Sequence, residues 1–157
     1  MNEPIFEIKE EEQKENYSRF VISPLEQGYG NTLGNSLRRV LLTSLQGVAI
    51  TFVKIQGVRH QFSTIKGMKE DMIEFLLNLK RVRFSYNGER PVKAKLKVLG
   101  PKEVKAKDID VEPPAEIANP KLILASLAKD AKLEVEMQVE VGSGYSLADE
   151  RLSGQIG

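Results

Sequence analysis

The stretch "GYGNTLGNSLRRVLLTSLQG", residues 28–47, decides how the chain is read. Glycines stand at positions 28, 30 and 34, and two arginines then sit in an apolar run. Two chemistries compete for such a stretch: a loop that cradles a phosphate, and a helix that presents a face to another protein. A Walker-type loop requires a lysine and a hydroxyl directly after its last glycine, the ammonium for the terminal phosphates and the hydroxyl for magnesium. Here Gly34 is followed by Asn35 and Ser36. The dinucleotide fingerprint fits at Gly28 and Gly30, but Leu33 occupies its third glycine position. Glycines that permit a tight turn into a helix are the simpler account. Asn31 or Thr32 is a suitable N-cap, Leu33, Leu37, Val40, Leu41 and Leu45 recur at helical spacing, and Gly47 is placed to close the helix. Arg38 and Arg39, about 100° apart around the axis, flank that stripe, while Asn35, Arg39 and Leu42 line a second face. Paired guanidinium groups beside an apolar stripe suit carboxylates or carbonyls across an interface, or an ion pair within the chain.

The rest of the chain bounds the possibilities. Its 157 residues, 41% of them hydrophobic, suffice for one ordinary domain or two small ones with a core. The formal charge of +1, from 23 basic and 22 acidic residues, gives no bulk attraction to nucleic acid or to an anionic membrane. Cysteine is absent, which excludes disulfides and thiolate metal sites. The N-terminal residues are acidic and polar where a secretory signal needs a basic start and an apolar stretch. No run of apolar residues is long enough to span a bilayer. The expectation is a soluble cytoplasmic protein with no membrane partner.

Periodicity predicts the remaining elements. Ile5, Phe6 and Ile8, then the charged run Glu10 to Glu15, then "YSRFVISPL" read as strand, polar turn and strand ended by Pro24. Residues 48–55 read as a strand, with Gln56-Gly57 as a hairpin turn into "VRHQFS". A second helix is expected in "KEDMIEFLLNLKRV", with Met72, Ile73, Leu76, Leu77 and Lys80 on one side and Glu70 and Asp71 placed early, as the helix dipole prefers. "RFSYNGERPVKAKLKVL" reads as a hairpin turning near Asn87-Gly88, whose second strand buries Val92, Ala94, Leu96 and Val98 and wets Lys93, Lys95 and Lys97. A short β-like piece is expected around Val104, and Pro113-Pro114 breaks regular structure. The clearest strand is "KLEVEMQVEV", where Leu133, Val135, Met137, Val139 and Val141 alternate with Glu134, Glu136, Gln138 and Glu140. Its acidic face and the basic face of Lys93 to Lys97 are natural cross-strand neighbours. The final residues, "GSGYSLADERLSGQIG", read as loop.

Catalytic and metal chemistry find little support. The only histidine, His60, stands in a strand-like stretch with no nucleophile–base pair to be argued from spacing. Neither a second histidine nor a close carboxylate cluster offers metal-ligand spacing. Lys93, Lys95 and Lys97 share a side and suit a phosphate backbone, the basis of an alternative reading as a free-standing nucleic-acid-binding module, but no aromatic is interleaved to stack a base.

Residues 28–80, with the helix "TLGNSLRRVLLTSL", the segment "KIQGVRHQFSTIKG" and the helix "KEDMIEFLLNLK" in that order, resemble the N-terminal domain of the alpha subunit of bacterial DNA-directed RNA polymerase. Later, "VEVGSGYSLADER" resembles the family's Gly-x-Gly-Tyr segment. The resemblance implies an α+β, two-part fold: a helix-and-strand dimerisation domain, begun by residues 1–47, and a β-rich insert domain, residues 48–157. It implies a subunit without catalytic residues or cofactor that forms a homodimer, on which the two large catalytic subunits of a nucleotidyltransferase assemble, with DNA met only through the complex. Tyr29, Leu33, Leu37, Val40 and Leu41 would then face the dimer partner, and Asn35, Arg38, Arg39, His60, Phe62, Ser63 and Thr64 the large subunits. Three positions depart from the family pattern: Ser36 stands for alanine, Gln61 for glutamate and Ser143 for the arginine of "GRGY". The family continues past "GQIG" with a returning part of the dimerisation domain, a linker and a DNA-binding C-terminal domain. The expectation is therefore a truncated chain with a weakened dimer.

Overall fold

The computed structural model describes residues 6–147. Ile5 and the expected loop beyond Leu147 lie outside the described residues, as does the end of the Gly-x-Gly-Tyr segment. The chain divides into two compact units, with the break between Leu45 and Gln46.

In the first unit, β1 (Glu7–Lys14) pairs antiparallel with β2 (Tyr17–Ser23), from Glu7 opposite Ser23 to Lys14 opposite Tyr17, with a bulge between Glu10 and Glu12. The charged run expected as a turn is mostly strand, and only Glu15 and Asn16 turn. Both faces of this ribbon are largely exposed, so its charges lose little hydration, and Arg19 lies 3.4 Å from both Glu11 and Glu12. Helix α1 (Tyr29–Thr43) follows. Its N-cap is Gly28 rather than Asn31 or Thr32: at φ 85° this residue turns the chain in the left-handed region, where glycine is the easy occupant. The helix ends at Ser44, whose N–H donates to the Val40 carbonyl at 2.9 Å, so Gly47 is not the cap.

The second unit is built on a four-stranded antiparallel sheet. Its strands are β3 (Gln46–Ile55), β5 (Val92–Leu99), β7 (Ile109–Val111) and β10 (Lys132–Ser143), in the order β3-β10-β5-β7. Two small pairings support it: β4 (Phe84–Ser85) with β8 (Glu116–Ile117), and β6 (Lys102–Lys105) with β9 (Ile123–Leu127). Helix α2 (Met72–Lys80) packs against β9 and β3.

Two expected hairpins do not form. Gly57, at φ 81°, turns the chain after β3, but "VRHQFS" is a loop, and β3 pairs instead with β10. Phe84 and Ser85 pair with Ile117 and Glu116, and β5 inserts between β10 and β7. The competing bonds are visible: Asn119 Oδ1 accepts from the Arg83 N–H at 2.8 Å while its Nδ2 donates to the Arg81 carbonyl at 2.9 Å, which draws residues 81–83 toward β8.

The alternation read in β5 and β10 holds. Val92, Ala94, Leu96 and Val98 are buried, as are Leu133, Val135, Met137 and Val139. Across the ladder Glu134 faces Lys97, Glu136 faces Lys95 and Gln138 faces Lys93. In α2 the expected face is displaced. Met72, Phe75 and Leu79 are buried, while Ile73 and Leu77 are exposed. With six apolar residues among nine, the helix offers two overlapping stripes, and the aromatic at Phe75 takes the inner one. Asp71 is the N-cap, accepting the Glu74 N–H at 2.7 Å, and Glu70 lies outside the helix, accepting from the Ser126 N–H at 2.7 Å and its hydroxyl at 3.0 Å.

Phe75, fully enclosed in this core, carries the first prediction. Phe75→Ala is expected to lower the unfolding free energy by roughly 3–5 kcal/mol, read from the midpoint and slope of a urea titration.

Candidate functional site

Helix α1 has no buried residue. Of its apolar stripe, Leu33 is half-buried, and Tyr29, Leu37, Val40 and Leu41 are exposed, Leu41 at 59%. Asn35, Arg38 and Arg39 are exposed on the flanking face together with Leu42, which is 63% exposed. The intramolecular ion pair open to Arg38 and Arg39 is not made: among the described residues neither guanidinium lies within 4.0 Å of a carboxylate. The helix therefore offers an apolar stripe edged by two uncommitted planar cations.

His60, Phe62, Ser63 and Thr64 lie together on the loop after β3, in the second unit. The Ser63 N–H donates to the His60 carbonyl at 3.0 Å, and the Ser63 hydroxyl lies 3.2 Å from His60 Nδ1. The rings of His60 and Phe62 are 6.5 Å apart at 43°. The loop is thus tied to itself in one turn, with Phe62 71% exposed at its tip. His60 is not a strand residue, as its flanking pattern had suggested. With an exposed imidazole and, among the described residues, no third group orienting it, the serine–histidine contact has the form of a turn and not of a nucleophile activated by a base. Sequence reading passed over Lys54 and Arg59, which border the same loop in space. The only signal for them was the turn at Gly57, which brings the chain back beside β3.

Of the three lysines on the wet face of β5, Lys97 is ion-paired. Glu134 Oε1 lies 3.2 Å from Lys97 Nζ and 2.7 Å from Lys132 Nζ. Hydrogen bonds from Lys132 and then Lys97 hold the Glu134 carboxyl below its ordinary value, against a smaller opposing effect of desolvation. Lys95 stands in register between Glu136 on β10 and Asp110 on β7. Glu112 Oε2 accepts from the backbone N–H of Lys93 at 3.4 Å, which brings a carboxylate to the same edge of the ladder. A phosphate backbone would meet a mixed ladder here and not a basic stripe. A second cluster follows the same logic at the β6–β7 corner. Burial raises the Asp108 carboxyl, but hydrogen bonds from Lys102 Nζ at 2.7 Å and the Lys105 N–H at 2.8 Å, with the nearby lysine charges, bring it below its ordinary value.

Among the described residues no helix is long and apolar enough to cross a membrane. The model of the RNA polymerase Rpb3/RpoA insert domain family matches residues 53–156. The sequence is 53% identical over 151 residues to the DNA-directed RNA polymerase subunit alpha of Syntrophomonas wolfei, an alignment covering 96% of this chain and 48% of that protein. The chain belongs to the RNA polymerase Rpb3/RpoA insert domain family. It is 54% identical over 144 residues to the subunit alpha of Roseiflexus castenholzii, covering 91% of this chain and 45% of the relative. With that of Alkaliphilus metalliredigens it shares 44% over 149 residues, 95% of this chain and 47% of the relative. The chain spans about half the length of these alpha-subunit relatives. The family match runs from the last part of β3 to residue 156, and so includes the His60–Thr64 loop and the lysine face of β5.

The Glu134 cluster predicts a sign for acid stability. Because the folded carboxyl titrates below its ordinary value of 4.5, its contribution is complete above that value and is lost as pH falls through the lower, folded one. Glu134→Gln is expected to be less stable than the wild type at neutral pH, with the gap closing below about pH 4.5. Urea midpoints measured between neutral and acid pH check this.

Proposed function

We propose that the chain is a non-catalytic assembly subunit of DNA-directed RNA polymerase, acting by dimerising and docking the large catalytic subunits in transcription. The observation that carries the reading is the α1 face, a run of large apolar side chains with none buried. Exposed apolar surface of this continuity is normally covered by a partner, and each Å² covered contributes about 25 cal/mol. The names of the relatives supply the complex to which such a partner belongs.

On this reading residues 1–47 form the first part of a dimerisation domain and residues 48–157 the insert domain of a two-part fold. Tyr29, Leu33, Leu37, Val40 and Leu41 face the second copy. Asn35, Arg38 and Arg39 face a large subunit, and so does the loop carrying His60, Phe62, Ser63 and Thr64. The two uncommitted guanidinium groups support this division, because arginine presents fixed donors to carboxylates and carbonyls at little ordering cost. Nucleotidyl transfer is left to the large subunits, DNA is reached only through the assembled enzyme, and the site of action is the cytoplasm.

Two outcomes are expected. Leu41→Glu should convert a dimer to a monomer in sedimentation experiments, because it places a charge in an apolar contact; a dimer persisting at micromolar concentration counts against the assignment. Arg39→Ala should reduce co-purification with the cognate large subunit about tenfold while leaving the thermal midpoint within a degree or so, since an exposed side chain is removed and no core volume changes.

A further inference from the structure

Strand β3 is the outermost strand of its sheet, and among the described residues no strand is hydrogen-bonded to its free edge. A cleft of about 250 Å³ is lined by Phe52, Val53, Lys54 and Ile55 of this strand. Successive side chains of a strand point to opposite faces, so four consecutive residues border one cleft only where it runs along the strand's edge. The opposite wall is the loop from Val58 to Gln61 together with Leu76 of α2. Phe52 is 43% exposed, and Val53, Val58 and Leu76 are half-buried, which makes an apolar floor.

The charges of the rim have one sign. Lys54 and Arg59 border the cleft, with the His60 ring beside them, and no carboxylate does. Glu136 faces Lys54 across the ladder, yet among the described residues neither Lys54 nor Arg59 makes an ion pair within 4.0 Å. In a chain whose total charge is only +1, this is a local concentration of uncommitted cations beside an unpaired backbone edge.

We propose that this cleft receives an extended protein segment of alternating acidic and apolar side chains, added to β3 as a fifth strand of the sheet. Backbone hydrogen bonds to a free edge supply affinity in this mode of recognition, and alternate side chains supply specificity. The apolar side chains enter the floor between Phe52 and Leu76, and the acidic ones meet Lys54 and Arg59. Because His60 borders the cleft and begins the docking loop, the segment belongs to the large subunit; this assignment of the partner rests on the assembly reading above.

The test uses the wild-type protein and the double variant Lys54→Glu/Arg59→Glu, both positions being exposed and outside the core. Each is titrated with a peptide alternating glutamate and valine and with one alternating lysine and valine, and each is co-purified with the cognate large subunit. The wild type is expected to bind the acidic peptide with shifts at the Val53 amide, and the double variant to lose about tenfold in both peptide affinity and capture. Equal binding of the two peptides by the wild type overturns the cleft. If the wild type prefers the acidic peptide and captures the large subunit, but the double variant captures it equally well, the fifth-strand assignment falls while the assembly reading stands. If the wild type captures no large subunit, the assembly reading fails and takes the assigned occupant with it.

Discussion

Strand β10 is the constraint on which the second unit depends. It is hydrogen-bonded to β3 on one side and β5 on the other, and it contributes Leu133, Val135, Met137 and Val139 to the core. Its register is specified twice. A one-residue slip would turn the apolar set outward, and it would also set glutamates out of line with Lys95 and Lys97. Apolar burial sets which face turns inward, and the wet-face charges reinforce one alignment.

The two units answer the hydrophobic effect differently. The second encloses a core that runs from Phe75 of α2 through β5 and β10, with no buried charged or polar residue among those described. The first has no buried residue among those described, although its helix and ribbon carry leucine, valine, isoleucine and phenylalanine. Helices draw most of their stability from what packs on their apolar stripe, and α1 leaves that stripe open. The contrast separates a unit whose apolar stripe stays open from one that closes its own core.

Much of this was legible in the sequence, where local pattern and tertiary outcome agree. The strands at 92–99 and 132–143 and their charge pairing followed from alternation alone, because a half-buried antiparallel strand leaves a period of two. Misreadings came where partners distant in sequence decide. Nothing near Gln56-Gly57 reveals that β10 has already claimed β3, and nothing near Asn87-Gly88 reveals the pull of Asn119 on residues 81–83. In α2 the pattern supported two stripes, and the sheet beneath selected one. The helix at 29–43 was readable, but its start was not, since a left-handed glycine cap has no side-chain signature. As for the candidate site, the arginine edge of α1 was readable from helical spacing, whereas residues 60–64 read as a strand and were singled out by the family resemblance alone. The cleft beside β3 could not be read in either way, because its walls come from a strand, a loop and a helix that meet only in three dimensions.

The span between β3 and β10 also sets an order of events. Thr51 Oγ1 donates to the Gln138 carbonyl across a separation of 87 residues. Contacts so distant in sequence raise contact order and slow folding, because loop closure is unfavourable until the strands meet. During synthesis β3 emerges early and has no pairing partner until β10 has left the ribosome. Its apolar residues must therefore wait, in the company of a ribbon and a helix that bury nothing themselves. The nascent chain thus passes through a stage when the apolar residues of β3 stand open, and the completion of one late strand ends it.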